Sequence, residues 1–160
     1  MMLHRVIKLY HSIRLLFCFE GYKRANYIRK HNLFGHMGEN CYYHPWKMPS
    51  DPKHIFIYDN VKVASDVVFC NHDIANAMLN QMYRTTRFKY YLKDIVIHDN
   101  VLIGCNTVIL PGKTIGPNWV VGGGAVVSKD VPAGTVVAGN PMREIGKFED
   151  FKNKRIKNIE

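Results

Sequence analysis

His72 is the residue whose type and position most suggest chemistry. It stands in the segment VASDVVFCNHD, and it is the one histidine of eight placed where a regular pattern breaks off into a long insertion. Imidazole titrates near neutral pH, so a positioned histidine can take the proton from a hydroxyl as its oxygen attacks. Its second ring nitrogen then needs a hydrogen bond that fixes the tautomer. Asn71, Asp73, Glu39 and Asp51 are candidate holders, and the sequence does not choose among them. Cys70, two residues before His72, raises a Cys–His nucleophile pair, but a small apolar thiol packed in a core explains it as well. The other histidines fall in or near the N-terminal helical region (His4, His11, His31, His36, with His44 just beyond), before a coil (His54) or at a corner (His98). No close histidine pair suits zinc, and Cys18, Cys41, Cys70 and Cys105 lack CxxC spacing, so no metal site and no disulfide framework is expected.

The pattern that breaks at His72 is a six-residue repeat. Aliphatic residues return at Ile97, Ile103, Ile109, Ile115, Val121 and Val127, and earlier at Ile57 and Val63, with Phe69 completing that turn. A 3.6-residue helix and a simple alternating strand both fail this period, so a repeat architecture is read first. Six residues suit one short flat strand plus a corner, with turn-formers such as Asp99-Asn100, Pro111-Gly112 and Pro117-Asn118 at the corners. Three such hexads make one turn of a triangular β-solenoid, stacked at about 4.8 Å. After Phe69 the next inward position would be residue 75, yet the register resumes at Ile97. The basic, aromatic insertion Ala75 to about Asp94 is therefore expected to leave the coil as an extended loop (73–94), with His72 at its root.

These residues resemble the hexapeptide-repeat acyltransferases, the left-handed parallel β-helix family, and most closely its galactoside, maltose and xenobiotic O-acetyltransferase branch. The resemblance covers about residues 37–145 and is most specific in the run GGGAVVSKDVPAGTVVAGNPMREI. It implies an acetyl-CoA-dependent O-acetyltransferase acting directly on a carbohydrate hydroxyl, such as a surface polysaccharide precursor. It implies a catalytic role for His72 as general base. It also implies donor contacts at Cys105, Gly123, Ser128, Lys129 and Arg143. Glycines 122–124 would admit a pantetheine arm, backbone N–H groups there would hold an oxyanion, and the two cations would meet phosphates. A second arginine of the family falls at Gly146 here, so that contact is lost or passes to Lys147. Tyr43, His44, Trp46, Asp51 and Asn71 are the implied acceptor contacts, and Trp119 packs on the cofactor or in a subunit seam. The family assembles as homotrimers with active sites between subunits.

Around this core, residues 1–33 are expected to be a helical cap, 34–145 the solenoid, and 146–160 a short helix or tail. Leu3, Val6, Ile7, Tyr10, Ile13, Leu16 and Phe17 make one apolar helical stripe. Seven basic residues against Glu20 give this segment +6 of the net +9. The stripe can cover the open end of the solenoid or rest on an anionic membrane. No nucleic-acid motif accompanies the charge, so nucleic acid is not the expected partner. No apolar run is long enough to span a bilayer, and a cytoplasmic protein with reduced thiols is expected. Amine acetylation on the same fold, a γ-carbonic anhydrase and a non-catalytic scaffold are the competing readings.

Overall fold

The computed structural model describes residues 2–130 and 132–157, but not the side chains of residues 2–5 and 8. The contributions of Leu3, His4, Arg5 and Lys8 expected above thus lie outside the described residues. The six-residue period becomes short strands joined at corners because each corner holds a residue that tolerates left-handed backbone. Asn40, Asn60, Asp66, Asn100, Asn106 and Asn118 have φ between 53 and 60°, and Gly112 and Gly124 have 73 and 71°. Asn, Asp and Gly enter that region at least cost.

Two helices come first, α1 (Met2–Leu16) and α2 (Gly21–Lys30). A partial coil follows, β1 (His36–Met37) and β2 (Tyr42–Tyr43), then a full one, β3 (Ile55–Ile57), β4 (Lys62–Val63) and β5 (Val68–Phe69). The chain departs through β6 (His72–Asp73), α3 (Ala75–Met82) and β7 (Tyr91–Leu92). It returns for two more coils: β8 (Ile95–Ile97), β9 (Val101–Ile103) and β10 (Val108–Ile109), then β11 (Thr114–Ile115), β12 (Trp119–Val121) and β13 (Val126–Val127). The strands β14 (Thr135–Ala138) and β15 (Arg143–Lys147) and the helix α4 (Phe148–Lys157) end it. Successive coils stack as three sheets visited in rotation: β1-β3-β8-β11, then β2-β4-β9-β12-β14-β15, then β5-β10-β13. Pairing is parallel throughout these sheets except for β15 against β14.

The register puts the repeat's aliphatic residues in layers. Ile57, Ile97 and Ile115 align on the first sheet, Val63, Ile103 and Val121 on the second, Phe69, Ile109 and Val127 on the third. All nine are buried, as are Ile55, Ile95, Val61, Val101, Val67 and Ala125 two residues earlier. Strand alternation turns both positions inward. Trp119 belongs to this second layer, beside Val101, and is fully buried with its Nε1 donating to the Pro132 carbonyl at 2.6 Å. It is a core residue, which corrects the expectation that it meets a cofactor or a subunit seam. On the outside, Asn60, Asn100 and Asn118 form a ladder of side-chain hydrogen bonds at 2.8 and 3.0 Å.

α2 covers the first coil. Gly21, Arg24, Ala25 and Ile28 are buried, and a Cβ on Gly21 would come within 2.5 Å of the Tyr42 ring. α1 behaves otherwise. Leu15 is buried and His11 Nδ1 lies 2.9 Å from the Tyr27 hydroxyl, but Val6, Tyr10, Ile13, Leu16 and Phe17 are exposed. Most of the expected apolar stripe therefore does not cap the solenoid: Val6, Tyr10, Ile13 and Phe17 lie on the side of α1 opposite Leu15, while Ile7 lines a cavity with His11. The insertion holds the helix α3, and its base is an antiparallel ribbon pairing His72 with Leu92. β15 runs through Lys147, so the boundary expected at 145 falls inside a strand. No helix among the described residues is long and apolar enough to cross a membrane.

Removing the largest core side chain should cost stability: Trp119→Ala is expected to lose about 3–5 kcal/mol in denaturant unfolding. A second expectation concerns acid. Burial, and then His31, lower the His11 pKa below 6.5. The unfolded chain then binds more protons, so stability present above 6.5 is lost as pH falls toward the lower folded value. Melting temperature should fall between pH 7 and 5.5 more steeply in the wild type than in His11→Gln.

Candidate active site

The insertion fixes His72 from both sides. Its backbone pairs with Leu92, and the Lys93 N–H donates to the Asn71 carbonyl at 2.9 Å, so the two ends of the loop are tied at the histidine. His72 Nδ1 lies 3.0 Å from Asp51 Oδ2 and 3.2 Å from Asn71 Oδ1. Two oxygens around one nitrogen assign the proton to Nδ1 and leave Nε2 as the basic position. Asn71 is fully buried and donates its Nδ2 to the Asp51 carbonyl at 2.7 Å. One amide therefore orients the imidazole and holds the residue that shares its proton. Glu39 pairs with Arg29, and Asp73 accepts from the Ala75 N–H, so neither holds the ring. The His72 ring is 25% exposed and faces Tyr90 at 5.4 Å. Partial desolvation and the carboxylates of Asp51 and Asp73 push the Tyr90 phenol above its ordinary pKa. Tyr90 was not singled out by sequence; the aromatic, basic character of the insertion was its one signal. Cys70 Sγ contacts the His72 carbonyl at 3.5 Å, not the ring, so no Cys–His pair forms.

The expected acceptor residues divide. Tyr43 aligns with Val63 and Ile103 and is buried between Phe34 and Phe69. It is core, and burial pushes its phenol pKa well up. Asn71 is likewise out of reach of a ligand, which makes Tyr43 and Asn71 corrections; the irregular register before Ile55 hid which way β2 faces. Asp51 holds His72 with its side chain 36% exposed. His44 is half-buried, and Trp46 remains exposed at 39%. The segment carrying both is held by Arg24, a fully buried cation that sequence reading passed over as part of a basic stripe. Its Nη1 donates to the His44 carbonyl, its Nη2 to the Cys18 carbonyl at 2.7 Å, and its guanidinium lies 4.0 Å over the Trp46 ring.

The expected donor residues lie on two edges of the third sheet. Cys105 and Gly123 stack at the corner leading into it, where the Gly124 N–H donates to the Cys105 carbonyl at 2.8 Å. Arg143 pairs with Ala138 one strand further along the same edge. Ser128 and Lys129 follow β13 on the opposite edge, in the column that begins with Cys70 and continues through Leu110. His72 follows Cys70 by two residues on that second edge, and Cys70 is two strand steps, about 10 Å, from Ser128 in the column. One chain thus brings Ser128 and Lys129 toward His72 but holds Cys105, Gly123 and Arg143 across a sheet from it. The glycine strip is open and close-packed: Gly104 approaches Gly123 so nearly that a Cβ on it would meet the Gly123 nitrogen at 2.4 Å. The ladder takes the Gly122 and Gly124 N–H groups, leaving the Gly123 N–H without a partner among the described residues. An exposed glycine strip, one free N–H and exposed Lys129 and Arg143 fit a thioester with an anionic tail. Among the described residues, no group of three or more His, Cys, Asp or Glu is placed to hold a metal ion.

No protein-family profile matches the chain. It is 36% identical over 115 residues, 72% of its length, to the galactoside O-acetyltransferase of Escherichia coli K12, of which it covers 55%. It is 46% identical over 61 residues, 38% of its length, to a 2,3,4,5-tetrahydropyridine-2,6-dicarboxylate N-acetyltransferase of Staphylococcus aureus, of which it covers 26%. The chain thus spans about half or less of the curated relatives it matches. Among solved structures it superposes on a galactoside acetyltransferase in complex with coenzyme A at a TM-score of 0.66, with 28% identity over 90% of this chain and 82% of that one. A hexapeptide-repeat acetyltransferase of Vibrio cholerae O1 biovar eltor, complexed with acetyl coenzyme A, gives 0.65 and 27% over 87% and 84%. In sequence and in fold the chain is thus similar to hexapeptide-repeat acetyltransferases.

The donor contact expected at Gly123 can be tested apart from folding. Its φ is ordinary, and a Cβ there would lie 3.1 Å from the Cys105 carbonyl oxygen, which a shift of a few tenths of an ångström relieves. Gly123→Ala should melt within a few degrees of the wild type yet raise the KM for acetyl-CoA at least about tenfold, one lost contact of roughly 1.4 kcal/mol.

Proposed function

We propose that this protein is an acetyl-CoA-dependent O-acetyltransferase that transfers the acetyl group directly to a hydroxyl of a carbohydrate, with His72 as general base. The observation that carries this reading is the His72 ring, anchored through Nδ1 by Asp51 and Asn71 at the root of the insertion. Nε2 takes the hydroxyl proton as the oxygen attacks the thioester carbonyl. The Gly123 N–H stabilises the developing oxyanion, and the tetrahedral intermediate expels coenzyme A, whose sulfur takes up a proton as it leaves. Likeness to a galactoside O-acetyltransferase and to structures holding coenzyme A or acetyl coenzyme A supports the donor and the hydroxyl class. His44 and Trp46 remain the candidate sugar contacts, since an aromatic face suits a pyranose ring.

The coils form a left-handed triangular prism in this reading, and three copies assemble into a homotrimer. Separation of His72 from Cys105, Gly123 and Arg143 by the third sheet supports that assembly: the histidine edge of one prism would face the glycine edge of the next. Four free cysteines suit the reducing cytoplasm. An amine acceptor is the second reading, favoured by the staphylococcal N-acetyltransferase match.

The test is release of the coenzyme A thiol against panels of sugars and of amino compounds. A sugar should support turnover in the wild type, and His72→Ala should lower kcat by about 10²–10⁴. Turnover with amines alone would replace the acceptor class, and undiminished turnover in His72→Ala would remove the histidine from the chemistry.

A further inference from the structure

The apolar face of α1 points away from the protein. Val6, Leu9, Tyr10, Ile13, Leu16 and Phe17 recur at helical spacing on one side and are 46–70% exposed. The opposite side meets the body through Leu15 and His11, so this helix is amphipathic in the reverse sense to a capping helix. The apolar surface continues past the helix: Phe19 is 77% exposed and packs edge-on against the exposed Trp46 at 6.2 Å. An uncovered apolar face of this extent marks a contact with something.

The charge around it selects the partner. Arg14 stands one turn from both Tyr10 and Phe17, and α2 adds exposed Lys30 beside Lys23 and Arg29, which hold exposed ion pairs with Glu20 and Glu39. Residues 1–33 contain one acid, Glu20, already paired with Lys23 at 3.3 Å. A second copy of this face would bring like charge against like charge. We propose that α1 docks the protein on an anionic lipid bilayer, with Val6, Leu9, Ile13, Leu16 and Phe17 entering the boundary between headgroups and acyl chains. Tyr10 sits at the headgroup level, where an aromatic ring with a polar edge is favoured, Phe19 extends the apolar face, and Arg14 and Lys30 meet the lipid phosphates.

Flotation of the full chain with vesicles tests this. Vesicles of phosphatidylcholine mixed with phosphatidylglycerol should carry at least about tenfold more protein than phosphatidylcholine alone, with high salt reducing the difference. The double variant Ile13→Asp/Phe17→Asp should stay in the soluble fraction, with wild-type melting temperature and wild-type acetyl transfer in solution. Should that variant fold poorly, Phe17→Trp supplies a second readout: its fluorescence should shift to the blue on adding anionic vesicles, beyond the wild-type change. No flotation with anionic vesicles, or equal flotation of the Asp variant, would overturn the proposal. A smaller assembly for the soluble Asp variant by light scattering would also overturn it, assigning the face to a second copy. The assay needs no acetyl donor, so its failure leaves the acetyl-transfer reading untouched.

Discussion

Parallel, in-register stacking of short strands is the constraint on which everything else in this protein depends. Each strand is only two to four residues long in the coils, so no single one is stable alone. Stability comes from layers such as Ile57, Ile97 and Ile115, which are buried only if every corner turns at the right residue. The corners turn because Asn, Asp or Gly occupies the left-handed position each time. A slip of one residue would expose a whole layer. The chain can nevertheless leave the coil for 22 residues after Phe69, because Lys93 bonds back to Asn71 and β5 stacks directly on β10. The insertion is thus a side branch, and the core does not register it.

That side branch is where chemistry gathers. His72 is held by a ribbon on its backbone and by two oxygens at Nδ1, and the second of these belongs to a fully buried amide. Asn71 has no freedom to rotate without abandoning the Asp51 carbonyl, so the imidazole is oriented by packing rather than by a mobile surface contact. Arg24 does the same for the neighbouring segment, spending its donors on carbonyls of His44 and Cys18 while Trp46 covers its face. The glycine strip, in contrast, is built from backbone and small residues alone, and the solenoid supplies those at a corner without further support.

What the sequence made legible follows the same division. The inward residues from Ile57 onward, the corners, the break after Phe69 and the place of His72 were all readable, because a strict six-residue period exposes any departure from itself. Before Ile55 the period is weak. There the pattern offers Tyr43 as a ligand contact, whereas its alignment with Val63 makes it core, and it leaves Asp51 as one of four candidate holders of the histidine without choosing it. The facing of α1 was not legible either. Its stripe was plain, but a stripe says that one side will be covered and not by what; the side that meets α2 depends on Leu15 and His11, two positions without a pattern. Trp119 has a related cause: its bulk at a position usually small suggests a special contact, whereas the side chain is fully buried in the core.

The central claim is that Asp51 acts on the reaction through His72. A double-mutant cycle on kcat/KM for acetyl transfer, with His72→Ala, Asp51→Asn and both together, tests it most directly. The account predicts strong non-additivity: the double variant should be no slower than His72→Ala alone, because a carboxylate that orients an imidazole has nothing left to orient once the ring is gone. Additive losses, with the double variant slower by the product of the two single effects, would contradict it.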